Sequence, residues 1–378
     1  MRCFERYKDL TEVMPSYAVL QAEHFPLSKL TTAHLSPLGL IPETRNPPVM
    51  SAQANFIEGG LLLVIGVHHS ASDASAVDAI LDVWAKNTAA ACNSIELNLC
   101  QLEPQINDRS PLMFGTAGAK MVDFPEYFLQ LTVPTALADG SSNQMARAAS
   151  KMPPLAARIF FFSPSSLAAL KVEAAAYSTN DALTAFLWRH MTLARNPVSQ
   201  SKLPADIVGA DSAILYAANI RRRTSPPLPQ NYLGNAFIAV KTDPLSISTL
   251  MSLDGLKIAT STIRKSLHKL ADQPNRISLT IGLMDQYDTT ELKYAYNGFL
   301  GPDIMATSWA DVGIYNSVWG DLGKVESFRV PGEGSDGTLA IFPRLKSGGL
   351  EVRVALETEA MGRLIANRDF VSKAELWA

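Results

Sequence analysis

The stretch Leu61-Leu-Leu-Val-Ile-Gly-Val-His-His-Ser-Ala-Ser-Asp73 decides how this chain is read. An apolar run stops at two histidines, His68 and His69, and an aspartate follows His69 by four positions. The run is too short to cross a bilayer and reads as a buried strand. Gly59-Gly60 ahead of it supplies a turn, and Gln53-Ala-Asn-Phe-Ile57 is the expected hairpin partner. A strand that delivers an imidazole at its tip is one way to place a catalytic base, because histidine alone titrates near neutrality when unperturbed. If the strand continues through both histidines, alternation sends His68 to the side opposite His69, where packing or a backbone hydrogen bond would occupy it. A His-x-x-x-Asp match by itself arises often by chance. Its place between a strand and a helix, with small residues inside it, gives this one weight.

Outward from the motif, Val77, Ile80, Leu81 and Trp84 follow helical spacing, so 74–90 reads as an amphipathic helix. Residues 101–122 are loop-like. The run from Asp139-Gly-Ser-Ser through Pro153-Pro154 reads as a linker over 139–155. It divides the chain into a first lobe, 1–138, which carries the motif, and a second, 156–378. In the second lobe Ala157–Phe162 reads as a strand. Ser163-Pro164 caps a helix to about Ala176, and Thr179–Ala194 forms another. A strand is expected at Ala236–Lys241 and a helix over 250–272. Thr338–Phe342 and Leu350–Leu356 form a hairpin across Lys346-Ser-Gly-Gly349, and a last helix covers Glu359–Ala366. The fold class is mixed α/β, with strands and helices alternating irregularly.

Composition excludes several classes. With 378 residues, 47% hydrophobic and 18% charged, the chain has the makings of an ordinary globular core. The net charge is −3 and no basic run occurs, so neither nucleic acid nor a polybasic membrane contact is expected. No apolar stretch reaches transmembrane length, and Met1-Arg-Cys-Phe-Glu-Arg-Tyr-Lys8 resembles no signal or transit peptide. Three cysteines, Cys3, Cys92 and Cys100, lack metal-ligand spacing, and the six histidines form no zinc constellation. An odd cysteine count without a signal points to a reducing, cytoplasmic setting, and no metal is expected. No Gly-x-Ser-x-Gly nucleophile turn, dinucleotide fingerprint or phosphate loop is present.

Several segments, in order, resemble the BAHD-type acyltransferases, and most of all the fungal branch that includes trichothecene 3-O-acetyltransferases. His69-Ser-Ala-Ser-Asp73 resembles the family His-x-x-x-Asp motif, and Ser178-Thr-Asn-Asp-Ala-Leu-Thr-Ala-Phe-Leu-Trp-Arg189 a family helix. Arg221, Arg223, Pro226-Pro-Leu-Pro229 and Tyr232-Leu-Gly-Asn235 resemble a family linker and strand start. Thr307-Ser-Trp309 resembles a cofactor-side strand. Val318-Trp-Gly-Asp-Leu-Gly323 stands where the family has Asp-Phe-Gly-Trp-Gly, and Ile341-Phe-Pro-Arg344 with Gly348–Glu351 resembles the closing hairpin.

The resemblance implies two chloramphenicol-acetyltransferase-like lobes with a channel between them. It implies an acyl-CoA, acetyl-CoA first among them, as co-substrate without a permanently bound cofactor, and a small-molecule alcohol as acceptor. His69 would be the general base, acting in a ternary complex. Asp73 would anchor the loop by pairing with Arg221, or failing that Arg223, although its spacing also fits a triad that orients His69. Trp319, Gly320 and Gly323 would form a structural loop near the channel, or a plain turn. Ser308 and Trp309 would line the pantetheine arm, or simply pack.

Three departures from the family pattern stand out. Ala74 replaces the usual glycine after Asp73, which matters if that position needs positive φ. Val318 replaces an aspartate, which puts the anchoring of its loop in question. Family members also carry roughly eighty residues ahead of this chain's start, by typical domain lengths. An incomplete first lobe with an exposed apolar surface is therefore expected, and self-association in place of the family's monomer. Against the enzyme reading stands a catalytically inactive or repurposed protein of this fold: a binding protein, a cyclase or a condensation-type catalyst.

Overall fold

Two sheets of different size organise the chain, and the reason lies in where the apolar side chains alternate and where they do not. The computed structural model describes residues 3–36, 48–93, 104–130, 153–196, 210–288, 290–332 and 334–378. The smaller sheet joins β1 (Cys3–Asp9), β2 (Met50–Ile57) and β3 (Gly60–Val67) in that order. β1 runs parallel to β2, and β2 pairs with β3 as the expected hairpin, Ile57 opposite Gly60 and Met50 opposite Val67. The apolar run in β3 does not alternate because both faces of the strand meet apolar partners. Leu62 and Val64 join a cluster of Leu10, Leu20, Phe25, Leu30, Leu35 and Ile57, supplied in part by α1 (Tyr17–Ala22) and α2 (Thr32–Leu35). Leu63 and Ile65 turn the other way, onto Leu81 and Ala85 of α3 (Ala74–Cys92).

The expectation of a fully buried strand here needs correction. Every residue of β3 keeps partial exposure, because among the described residues β3 is an edge of its sheet. Tyr7 of β1 is 83% exposed and Phe56 of β2 45%. The strand also ends at Val67, before the histidines, so alternation along it does not set their directions.

β4 (Tyr127–Leu129) leads to the larger sheet. The expected linker falls almost wholly outside the described residues, and by Leu155 the next strand has begun. β5 (Leu155–Phe162) is followed by α4 (Pro164–Glu173) and α5 (Thr179–Arg195). Then come β6 (Asp211–Ser212), β7 (Ile214–Asn219), β8 (Phe237–Lys241) and β9 (Leu245–Ser246). α6 (Ile247–Met251) and α7 (Gly255–Asp272) replace the single helix expected over 250–272. At the break Ser252 is extended (φ −65°, ψ 166°), and Arg189 of α5 donates to the carbonyls of Leu250 and Ser252. α8 (Arg276–Met284), β10 (Leu292–Tyr294), β11 (Ile304–Ser308), β12 (Thr338–Ile341) and β13 (Leu350–Glu357) follow. α9 (Thr358–Ala366), α10 (Arg368–Val371) and β14 (Glu375–Leu376) close the chain.

The seven-stranded sheet runs β14-β5-β13-β12-β11-β7-β8. β11 is parallel to both β12 and β7, and the remaining pairs are antiparallel. Alternation along β7 shows its two faces. Ile214 lies in the main core with α4, α5, α7 and α9, while Leu215 faces a second cluster with Phe124, Tyr127, Ala239 and Leu283. The segment 119–127 thus covers the far face of the larger sheet. α5 is the spine of the main core: a capping box of Ser178 and Asp181 starts it, and Leu183, Phe186, Leu187, Trp188 and Met191 are buried. Among the described residues no helix is long and apolar enough to cross a membrane.

Candidate active site

His69 follows the end of β3 in a turn and is exposed to solvent. The chain then enters α3, with Asp73 as its N-cap: Asp73 Oδ1 accepts from the Ala76 amide at 3.0 Å. Ala74 opens the helix and is not among the residues with positive φ, so the missing glycine brings no backbone strain. Asp73 is nearly buried, and Arg221 is 1% exposed. The Arg221 guanidinium straddles the carboxylate, Nη1 on Oδ2 and Nη2 on Oδ1, both at 2.8 Å. The Ala236 amide donates to Oδ2 at 2.8 Å. With four donors on its two oxygens, Asp73 has no capacity left for an imidazole, and no bond joins it to His69. The carboxylate is thus held by Arg221 and two backbone amides and not by the imidazole. Arg223 stands apart: it is exposed and donates to the Asn219 carbonyl.

The loop 69–75 is fastened to residues 219–236 along its whole length. Asn235 Nδ2 donates to the His69 carbonyl at 2.5 Å, and the Ser72 hydroxyl donates to the Leu233 carbonyl at 2.7 Å. Asn219 Nδ2 donates to Ser75 Oγ at 3.3 Å, and Arg109 adds a bond to the Ala71 carbonyl at 3.2 Å. Arg221 also donates to the carbonyls of Tyr232 and Gly234, and the guanidinium groups of Arg109 and Arg221 lie over the Tyr232 ring, 5.6 and 5.8 Å from its centroid. A Cβ on Gly234 would meet Arg109 Nη1 and the Tyr232 ring, so these side chains would have to shift to admit one. The edge of the Phe237 ring meets the His69 imidazole, centroids 5.8 Å apart and planes at 61°. Asn235, Phe237 and Arg109 were not singled out from sequence. Asn235 lay inside a quoted motif, whereas nothing local marks Arg109 as a neighbour of a loop 38 positions earlier.

His68 is exposed as well. Its Nδ1 accepts from the Ser70 amide at 3.3 Å and lies 2.7 Å from Ser70 Oγ, so it closes its own turn.

The loop carrying Trp319, Gly320 and Gly323 lies against α3 and not at the imidazole. Trp319 is 7% exposed, stands edge-on to Trp84, and its amide donates to the Gly323 carbonyl at 2.8 Å. Gly320 and Gly323 both have positive φ, +62° and +79°. A Cβ on Gly320 would sit 2.8 Å from Cys92 Sγ and 3.0 Å from Ala89 Cα. Val318 is 47% exposed, so the loop is held by the ring contact and the turn hydrogen bonds without the family's aspartate.

Ser308 ends β11 and, with Thr307, lines a small pocket shared with Asn180, Thr184, Tyr216 and Ile341. The pocket opens at the carboxyl ends of the parallel strands β7, β11 and β12, beside the start of α5, a common place for ligands in α/β sheets. Trp309 is not among its lining residues, and its ring stacks on Phe342 and meets Phe328 in a T-shaped contact. Among the described residues, no group of three or more His, Cys, Asp or Glu side chains is placed to hold a metal ion.

Comparison with known proteins agrees with this architecture. Residues 28–370 match the Transferase family model. Acyltransferase easC of Emericella nidulans is 28% identical, the alignment covering 98% of this chain and 78% of the relative. Eremophilane O-acetyltransferase ORF8 of Penicillium roqueforti is 30% identical over 94% of this chain and 77% of its own length. Among solved structures, Fusarium sporotrichioides TRI101 complexed with coenzyme A and T-2 superposes with a TM-score of 0.78 at 21% identity, covering 99% of this chain and 82% of that one. Vinorine synthase superposes with a TM-score of 0.60 at 18% identity, over 98% and 76%. The chain belongs to the Transferase family and has the fold of its acyl-transferring members.

Proposed function

We propose that this family member transfers the acyl group of an acyl-CoA, acetyl-CoA first among them, to a hydroxyl of a small fungal-type secondary metabolite, with His69 as general base. The observation that carries the reading is the division of labour in the motif. Asp73 is saturated by Arg221, Ala76 and Ala236, while the His69 imidazole is exposed and, among the described residues, has its ring contact with Phe237.

In this reading the imidazole takes the proton of the acceptor hydroxyl as its oxygen attacks the thioester carbonyl. A C–O bond forms, the tetrahedral intermediate collapses, the C–S bond breaks, and the imidazolium returns the proton to the departing thiolate. No acyl-enzyme is needed, so both substrates are bound at once. A positioned base of this kind contributes about 10²–10⁴ in rate. Ser308, on the rim of the pocket beside α5, is the candidate contact for the pantetheine arm, with Trp309 behind it as packing. Relatives named for acetyl transfer to eremophilane and trichothecene compounds support a sesquiterpenoid alcohol as acceptor.

The test is incubation of the purified chain with acetyl-CoA and a panel of sesquiterpenoid alcohols, reading free CoA thiol and the mass of the products. An O-acetylated product formed only with enzyme is expected. A chain that is folded, binds acetyl-CoA and acylates no alcohol in the panel would favour a binding protein of this fold.

A further inference from the structure

We infer that Asn235 is a positioning residue for the base, holding the backbone of His69 so that its ring keeps one place against Phe237. The inference rests on the reading of His69 as base. Two observations carry it. The first is the bond itself, Asn235 Nδ2 to the His69 carbonyl at 2.5 Å, which spans 166 positions of sequence and is the fastening nearest to the imidazole. The other fastenings act further along: Arg109 on Ala71, Leu233 on Ser72, Arg221 on Asp73 and Asn219 on Ser75. His69 follows a strand end and, among the described residues, has no ring partner other than Phe237, so its main chain is the handle by which the ring can be held.

The second observation is that the arrangement leaves Asn235 Oδ1 buried without a hydrogen-bond partner. A buried acceptor left unpaired is unfavourable, and folds keep few of them. A residue retained only for packing or for a turn would be served as well by a side chain with no acceptor. The amide is explained by its donor, and its donor meets only the His69 carbonyl. Asn235 is also followed at once by Ala236, whose amide donates to Asp73, and then by Phe237, whose ring meets His69. Three successive residues therefore address the backbone of the base, the anchor of its loop and its ring. A displacement of about 1 Å at a reacting group can cost on the order of 10²-fold in rate, so a backbone tether at this point has leverage on turnover.

The experiment uses the full chain with Asn235→Ala and Asn235→Asp, the second keeping shape but removing the donor. The first readout needs no turnover: the His69 ring proton resonance in a histidine-labelled sample, whose shift carries the ring current of Phe237, with Phe237→Leu as the reference. Both Asn235 variants are expected to move that resonance toward its position in Phe237→Leu. The second readout is steady-state kinetics with acetyl-CoA, where kcat is expected to fall about tenfold or more while KM for acetyl-CoA stays within about twofold. An unmoved resonance with unchanged kcat would overturn the inference. So would a loss of kcat that merely follows a loss of folded protein by thermal melting. Should the resonance move while His69→Ala retains activity, the tether stands and the assignment of the base is what fails.

Discussion

Arg221 closes on both oxygens of Asp73, and the pair is separated by 148 positions of sequence. A buried ion pair adds little net stability over an apolar pair of the same shape, but removing one partner leaves the other charge stranded. Asp73→Asn and Arg221→Met are each expected to lower unfolding stability by about 3–5 kcal/mol. The double variant should lose clearly less than the sum of the two. Urea unfolding followed by circular dichroism measures this, and strictly additive losses would show that the two side chains do not act as a unit.

Arg223 makes the contrast. It is exposed and, among the described residues, its side chain hydrogen-bonds the Asn219 carbonyl alone, so Arg223→Ala should change stability by no more than about 0.5 kcal/mol and leave acyl transfer near the wild-type rate. A loss comparable with that of Arg221→Met would place Arg223 in the anchor after all.

The turn under α3 separates two effects of adding a methyl group. Gly323 has φ +79° and ψ −139°, a region nearly closed to side chains, with open space around it, so Gly323→Ala should cost about 1–3 kcal/mol from backbone strain alone. Gly320 has φ +62° and also lies against Cys92 and Ala89. Gly320→Ala should therefore cost about 1–3 kcal/mol beyond that figure through overpacking. Equal effects in thermal melts would mean that α3 gives way at its end.

Asp78 supplies a pH signature. Burial lifts its carboxyl above the usual carboxylate range, the Gly313 amide opposes this, and Asp82 one turn along α3 adds to the rise. A group whose folded pKa is raised favours the folded state below its unfolded value, near 3.8, and loses that contribution as pH rises through the folded value. At neutral pH the ionised carboxylate is then a burden. Asp78→Asn, which keeps an oxygen for the Gly313 amide, should melt at a higher temperature than wild type at pH 7, with the difference shrinking toward about pH 4. A difference that grows on acidification would reverse the sign of this account.

What could be read from the sequence were features written in short spans. The β2–β3 hairpin, α3, the Ser163 and Ser178 helix starts and the β12–β13 hairpin follow from periodicity, caps and turn residues, and the structure places them within a few positions of their expected bounds. The exposure of β3 was not legible, because a central strand and a strand at a sheet edge can carry the same apolar run. The break between α6 and α7 was not legible either, and Arg189, which meets the carbonyls at the break, lies some sixty positions away. At the site, family likeness pointed to Arg221 beside Asp73. The roles of Arg109 and Phe237 appear only when 69–75 is laid against 219–237, and no local pattern announces that contact.

The central claim is that His69 is the base and that His68 beside it is not. The most direct measurement is the turnover of wild type, His69→Ala and His68→Ala with acetyl-CoA and an accepted alcohol, each variant first shown to be folded by circular dichroism. The account predicts a loss of at least about 10²-fold in kcat for His69→Ala, and for His68→Ala, which only closes its own turn with Ser70, a change of less than about tenfold. Equal losses in the two folded variants, or a His69→Ala protein that keeps its rate, would contradict it.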